Sequence, residues 1–356
     1  MKVGVLGGGQ LAQMLALAGY PLGIKTVALE STASCPAGLV TDVVVGDYTD
    51  SEKLKQLADS VDVITYEFEN VHVPSIETIT TPEVYPAINA LSIAQDRLAE
   101  KTFFDSVAVP TTQYFSVDTL EDLEIAIEQI GLPAVLKTRR LGYDGKGQFV
   151  IKNKEELQTA WKTLGQQNLI VENKINFDKE VSCLAVRGLS GEIAFYDLVE
   201  NQHVGGILRQ SKAILHEEKL TLLAQKYVEH MLKRLNYVGV LAVEFFVKDE
   251  MLIANEMAPR VHNSGHWTIE GAHTSQFENH LRAILGLPLG NTQTIGQPVM
   301  INVIGKLPVL SDILNIPYVH YHDYGKLEKP GRKLAHVTMT VDDHETYGRL
   351  LDLLPF

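Results

Sequence analysis

The sequence is short of positive charge. Its 31 lysines and arginines face 44 aspartates and glutamates, for a formal net charge of −13. Nucleic acids and anionic membranes are bound through a surplus of basic residues that release counterions, so the balance argues against either as a general partner. An anionic substrate must instead meet a local basic patch. Cysteine is nearly absent. Cys35 and Cys183 lie too far apart in sequence to suggest a disulfide framework or a spaced metal site, and they read as small core residues in a reducing cytosol. There is no run of about 18 apolar residues, and the first residues lack the charged, apolar and cleavage regions of a signal peptide. The default location is the cytoplasm. Repeats, low-complexity tracts and long like-charge blocks are missing too, and with 45% hydrophobic residues disorder is a poor reading.

What is present is enough chain for two or three domains: 356 residues, at about 100–200 per domain. Lys2–Leu6 reads as a strand running into Gly7-Gly8-Gly9, and Gln10–Ala18 as a helix ending at Gly19. Strands at Ile24–Leu29, followed by Glu30, and at Val61–Tyr66, followed by Glu67-Phe68-Glu69-Asn70, make a β/α alternation that predicts a parallel, doubly wound sheet. A single helix over Ser92–Phe104 and the break at Val109-Pro110 place a boundary near residue 105. An α+β unit follows: helix Leu120–Ile130, strand Ala134–Lys137, glycine-rich loop Gly142–Gly147, strand Phe149–Ile151, helix Lys154–Leu164 and strand Leu169–Glu172.

From Glu180 the pattern turns to strands at Val181–Val186, Ile193–Val199 and Ile207–Ala213, then a helix from about Lys219 to Leu235. Val238–Val247 and Met251–Met257, separated by Lys248-Asp249-Glu250, read as an antiparallel hairpin. Ser275-Gln276-Phe277-Glu278 predicts a capping box on a helix over Ser275–Leu285. Short strands at Val299–Ile304 and His336–Val341 flank a basic turn at Lys326–Lys333. The expected domains are 1–105, 106–179 and 180–356.

Several groups could carry chemistry. Gly7-x-Gly9-x-x-Ala12 lets a helix N-terminus meet an anion, with Glu30 about 20 residues on. A dinucleotide, another phosphate ligand and a merely tight turn are all compatible with it. Lys137 ends an apolar strand. The loop Gly142-Tyr143-Asp144-Gly145-Lys146-Gly147-Gln148 holds three glycines whose backbone N–H groups can curl around phosphate oxygens. No Gly-Lys-Ser/Thr opens a helix, so it is not a Walker loop; a plain glycine hairpin is the structural alternative.

In the hairpin, symmetry about residue 250 sets Glu244 opposite Glu256, on one face with Ala242, Phe246, Leu252 and Ala254. Two facing carboxylates repel unless they are solvated or share a divalent cation. Beside phosphates, oxygen ligands suit magnesium. Arg260, four residues on, could steady a developing oxyanion, and His262, Asn263 and Ser264 suit a phosphate monoester. His320 and His322 have no third ligand at a recognisable spacing and read as structural. No sequence context marks a Ser-His-Asp triad or a nucleophilic cysteine.

Lys137, the glycine-rich loop and the Glu244/Asn255-Glu256 pair together resemble the ATP-grasp superfamily. Arg260-Val261-His262-Asn263-Ser264-Gly265-His266 with the 142–148 loop is similar to its 5-(carboxyamino)imidazole ribonucleotide synthase family, from Gly7-Gly8-Gly9-Gln10 through Pro330-Gly331-Arg332-Lys333. The resemblance implies an ATP-grasp fold behind an N-terminal Rossmann-like domain. The implied reaction is a purine-pathway ligation: bicarbonate and ATP carboxylate 5-aminoimidazole ribonucleotide through carboxyphosphate, giving ADP and phosphate.

For the site, the resemblance implies ATP contacts at Arg97, Lys137, Gly142, Tyr143, Asp144, Gly145, Lys146, Gly147, Gln148, Glu172, Asn173, Lys174, Ile175, Glu180, His203, Asn255 and Glu256. Magnesium falls to Glu244 and Glu256, and catalysis to Arg260, Lys137 and Asp144. Acceptor contacts fall to Gln10, Glu67, Tyr143, Asp144, Lys146, Arg260, His262, Asn263, Ser264, Lys326 and Arg332. A homodimer is likewise implied. The chain stops at Leu354-Pro355-Phe356, earlier than the family pattern leads one to expect. Other carboxylases or transformylases of the superfamily would share the magnesium pair and differ in the acceptor pocket. A dinucleotide-binding oxidoreductase or nucleotide sensor built on Gly7–Ala12 would bind no magnesium-ATP.

Overall fold

The computed structural model describes residues 1–142, 145–340 and 343–354. The first sheet is built from β1 (Lys2–Leu6), α1 (Gln10–Gly19), β2 (Lys25–Glu30), β3 (Asp42–Val45), α2 (Ser51–Ala58) and β4 (Val63–Tyr66). Its order is β3-β2-β1-β4 and every pairing is parallel, as the alternation predicts. The helices cover both faces. Val3, Val5 and Ala28 pack with α1, and Val27, Leu29 and Ile64 pack with α2. The sequence reading passed over β3, so the strand ending at Tyr66 is the fourth. A short edge strand with both end residues exposed carries little hydrophobic signal.

Three helices follow: α3 (Val73–Ile76), α4 (Ile88–Ala94) and α5 (Arg97–Ser106). The single helix expected over Ser92–Phe104 is broken. Asp96 takes extended backbone angles and its carboxylate accepts the Leu98 N–H, so it caps a new helix. The break lets Arg139 grip both Asp96 oxygens, at 2.9 and 2.7 Å.

The second sheet comprises β5 (Tyr114–Val117), α6 (Leu120–Ile130), β6 (Ala134–Thr138), β7 (Gln148–Ile151), α7 (Leu157–Thr163) and β8 (Leu169–Asn173). Its strands run antiparallel in the order β5-β8-β6-β7. Helix α6 sits where predicted because Thr119 and Asp122 close a reciprocal cap at its start. The Lys154–Leu164 helix opens instead as a 3-10 turn over Lys154–Glu156.

The large sheet takes β9 (Lys179–Arg187), β10 (Ile193–Phe195), β11 (Val199–Val204), β12 (Ile207–Ala213), α8 (Glu218–Arg234), β13 (Gly239–Lys248), β14 (Met251–Ala258), α9 (Thr268–Gly271), α10 (Gln276–Ile284), β15 (Val299–Ile304), α11 (Leu310–Leu314), β16 (Val319–Asp323), β17 (Lys333–Met339) and α12 (His344–Leu353). Its antiparallel order is β14-β13-β9-β11-β12-β15-β17-β16, with β10 on β9. The predicted Ile193–Val199 strand is therefore two strands. The capping box at Ser275 is half formed: Ser275 accepts the Glu278 N–H, but the Glu278 carboxylate turns to Arg282.

The β13–β14 hairpin corrects one expectation and keeps another. Asp249 and Glu250 form a two-residue turn with φ of 50° and 60°. That turn alone would set Glu244 against Asn255. Asn255 is instead an extra residue on β14, and beyond it Glu244 faces Glu256. The two carboxylates do share a face, with Phe246 opposite Ile253. Leu252 and Ala254 belong to the other face and pack into the core with Phe245 and Val247.

Candidate active site

A cavity of about 640 Å³ opens where the three sheets meet. Gln10 and Glu67 reach it from the first sheet, Lys137, Gln148, Glu172 and Asn173 from the second, and Glu180, His203, Glu244, Asn255 and Glu256 from the third. Arg97, Gly142, Gly145, Lys146, Lys174, Ile175, Arg260, His262 and Asn263 line it from turns, loops and the start of α5. Tyr143 and Asp144 lie outside the described residues. Gly147, Ser264, Lys326 and Arg332 are not among the lining residues.

At one end, Lys137 Nζ lies 2.8 Å from Glu172 Oε1, and the fully buried Lys101 lies 3.4 Å from Glu172 Oε2. Burial pushes the Glu172 carboxyl up, but Lys101 and Lys137 outweigh it and hold it well below the ordinary range. The carboxylate expected at the adenine linker is thus the anchor of Lys137, and Thr112 donates to it as well. Arg97 Nη1 stands 3.4 Å from Glu256 Oε2. Burial would raise Glu256, but Arg97 and Lys137 bring it below its usual value. For Glu244 the nearby His203 and Lys333 do not suffice. Burial, then the Glu256 charge, push it up to about 7.

Its histidine neighbour, His262 Nε2 at 3.8 Å, is held neutral by burial and by Arg260, so it offers no counter-charge. A carboxylate pair in this state fits a divalent cation, which would remove the repulsion and complete its shell with phosphate and water. No cluster of three or more His, Cys, Asp or Glu side chains suited to a metal occurs among the described residues. His203 donates its Nδ1–H to Glu180 beside them.

At the other end, Arg260 is fixed by Glu69 Oε1 at 2.5 Å and by the Val261 carbonyl. Lys326 is not itself in the wall, but its ammonium donates to Gln10 Oε1 at 2.5 Å. Burial lowers it to about 8 despite Glu67 nearby. Arg332 is exposed and donates to the Leu327 carbonyl. Ser264 is fully buried, with its hydroxyl 2.8 Å from His262 Nδ1, so it orients the histidine. Asn263 exchanges hydrogen bonds with Asn302 in both directions and reaches His266 Nδ1. Its amide is committed within the protein.

The helix N-terminus left open by the sequence is occupied by the chain's own acids. Glu67 accepts from Gly9 N and from Ala12 N at 2.9 Å, and Glu30 accepts from Gly8 N at 3.1 Å and from Tyr48. A side chain on Gly7 or Gly9 would collide with Glu67, so these glycines serve a carboxylate–helix contact. The dinucleotide reading loses both its phosphate cradle and its ribose acid. Sequence reasoning missed Glu69, Glu100, Lys101 and Lys333, and the stacked Phe177–Phe246 rings that line the cavity with centroids 4.7 Å apart. Glu69 and Lys333 stood inside motifs already singled out. Among the other histidines, His322 bonds Glu270 at 2.7 Å and stacks on His336, a packing role as read from the sequence.

The sequence pattern of the ATP-grasp domain matches residues 102–277, that of the ribonucleotide synthetase preATP-grasp domain residues 1–95, and that of the phosphoribosylaminoimidazole carboxylase C-terminal domain residues 298–349. The N5-carboxyaminoimidazole ribonucleotide synthase of Pseudomonas aeruginosa is 49% identical over 347 residues, covering 97% of this chain and 96% of that protein. The chain belongs to the N5-carboxyaminoimidazole ribonucleotide synthase family. The crystal structure of the Thermus thermophilus synthetase of this family superposes with a TM-score of 0.96 at 50% identity, covering 99% of both chains. The family's Aspergillus clavatus synthase, solved with ADP and 5-aminoimidazole ribonucleotide, gives a TM-score of 0.92 at 30% identity over 99% of this chain and 98% of that one. The ATP-grasp fold and the preATP-grasp domain expected from the motifs are therefore those of an N5-carboxyaminoimidazole ribonucleotide synthase.

Proposed function

We propose that this protein carboxylates 5-aminoimidazole ribonucleotide with bicarbonate and ATP, releasing ADP and phosphate, as a step of purine synthesis. The observation that carries the reading is one continuous cavity. It joins the Lys137–Arg97–Glu244–Glu256 end, suited to a nucleotide triphosphate, to a second basic end at Arg260 and Lys333. A bicarbonate oxygen attacks the γ-phosphorus and ADP leaves, giving carboxyphosphate. The exocyclic amine then attacks the carboxyl carbon, or carbon dioxide released from it in place, phosphate departs and the nitrogen gives up a proton. Neither step needs a protein nucleophile, so the chain contributes position and charge.

Lys137, anchored by Glu172, and Arg97 meet the phosphates. Arg260, braced by Glu69, faces the carboxyl group in transfer, and Lys326 with Gln10 marks the acceptor end. Magnesium, held by Glu244 and Glu256, would neutralise phosphate charge. Tyr143, Asp144 and Lys146 from the glycine-rich loop keep their assignment to ATP and acceptor, and the family resemblance carries a cytoplasmic homodimer. The test is ADP release with bicarbonate, with and without 5-aminoimidazole ribonucleotide. A strong rise on adding the ribonucleotide is expected. A rise with a formate-dependent or biotin acceptor instead would move the protein to another branch of the superfamily.

A further inference from the structure

Strand β14 is the outermost strand of the large sheet, so one side of it has no strand neighbour. The backbone groups on such an edge need partners when they are buried. Here the partners come from α5 and the segment after it. Lys101 Nζ donates to the carbonyls of Ala254 and Asn255, at 3.2 and 2.8 Å, and to Thr111 Oγ1 at 3.0 Å. Thr111 Oγ1 donates in turn to the Ala254 carbonyl at 2.7 Å, and the Ala254 N–H donates to the Pro110 carbonyl. Beyond the bulge, the Met257 N–H donates to Glu100 Oε1 at 2.7 Å. Both side chains are buried, Lys101 completely.

These contacts flank the extra residue, Asn255, that turns Glu256 to the face of Glu244. Without the bulge, Glu256 would follow Leu252 and Ala254 into the core and Met257 would turn out of it. We infer that Glu100 and Lys101 are positioning residues of the phosphoryl-transfer site: they hold the β14 bulge and so keep the two metal carboxylates facing each other. Lys101 does a second job with the same ammonium, since its ion pair with Glu172 ties the bulge to the anchor of Lys137. Arg97, one turn earlier on α5, reaches Glu256 directly, so a single helical face serves the metal end through three residues.

The inference rests on the proposed function only for the identity of the cation, and its test reads metal binding without the acceptor. Mn²⁺ binding to the protein–ADP complex is measured by electron paramagnetic resonance, and metal-free ADP binding by calorimetry. Groups that orient metal ligands typically change metal affinity by about tenfold or more when removed. Lys101→Met is expected to weaken Mn²⁺ by about that factor and to weaken metal-free ADP binding as well, through Glu172. Glu100→Leu is expected to weaken Mn²⁺ alike while leaving metal-free ADP binding unchanged. Glu100→Gln, which keeps an acceptor for the Met257 N–H, should restore near-parental Mn²⁺ binding.

Thr111→Val, a near-isosteric change that removes one bond to the Ala254 carbonyl, should shift Mn²⁺ in the same direction by a smaller factor. It decides the matter if the buried variants do not fold. Parental Mn²⁺ affinity in Thr111→Val and in whichever of Lys101→Met and Glu100→Leu folds, whatever their thermal stability, overturns the inference. Wild-type protein that binds Mn²⁺·ADP but releases no acceptor-dependent ADP would sink the proposed function and leave the positioning role standing.

Discussion

Glu244 lines the cavity opposite Glu256. Its carboxyl is pushed up to about 7 by burial and by Glu256, from 4.5 in an ordinary setting. Between those values the metal-free folded protein keeps a proton that the unfolded chain has released. This contribution therefore favours folding fully below about pH 4.5 and is lost as pH rises to 7, a swing on the order of 2–3 kcal/mol. Glu244→Gln should make the protein more stable than its parent in chelator at pH 8, with the advantage closing toward pH 5. The same change should lower acceptor-dependent ADP release by more than about tenfold. Thermal unfolding across that pH range checks the first part. Equal stability at pH 8 would mean that neither burial nor Glu256 raises the Glu244 carboxyl.

The pair itself was expected from two acids nearly symmetric about a hairpin turn, and it is the bulge at Asn255 that makes the expectation hold. Glu100 and Lys101 were not. An acid and a base in mid-helix look like a solvated face, and only the packing of α5 along an edge strand some 150 residues later in the chain makes them buried partners.

At the scale of elements, local signals were read well where they were self-contained. Helix α6 fell at the predicted residues because its cap and its terminating Gly131 both lie in the sequence beside it. Errors came where a distant partner decides. Asp96 breaks the α4–α5 stretch as the cap of α5 and is held there by Arg139, and β3 exists because β2 offers it an edge. The hairpin is the instructive case. The expected Glu244–Glu256 pairing was right, although it assumed an unbulged ladder with a longer turn. The actual turn spans two residues, and Asn255 restores the pairing.

That turn holds two non-glycine residues in the left-handed region, Asp249 and Glu250. Replacing them with Asn-Gly supplies the pair such turns favour. The double substitution should stabilise the protein by about 1 kcal/mol. The lost Lys219–Glu250 ion pair is fully exposed to solvent and worth little. A higher urea midpoint with unchanged ADP release is the expected result, and a lower midpoint would show that the strain is compensated elsewhere in the turn.

For the whole molecule, the acceptor end of the cavity exists only while the first sheet stays docked on the large one. The docking surface is apolar, with Leu11, Leu15, Phe277, Leu281 and Val240 in one core shared by α1, α10 and β13. A buried polar joint crosses it. His280 on α10 accepts the Val240 N–H at Nδ1, 3.1 Å away, so Nε2 carries the proton and donates to Thr65 Oγ1 on β4 at 2.9 Å. Burial lowers the ring to about 3 from 6.5, and protonation would destroy the Val240 bond. A depressed base contributes stability that is complete above about pH 6.5 and is lost as pH falls toward 3, by about 1.4 kcal/mol per unit once the unfolded ring is charged. His280→Asn keeps an acceptor near the Nδ1 position and drops the Thr65 bond. It should cost about 1–2 kcal/mol at pH 8, and the gap to the parent should shrink and then reverse as pH falls toward 5. Urea unfolding of both proteins over that range isolates this one ring, because every other titrating group is common to the pair. A gap that stays constant with pH would show that His280 titrates alike in the folded and unfolded protein, and the joint between the sheets would then have to be held by something other than a buried neutral imidazole.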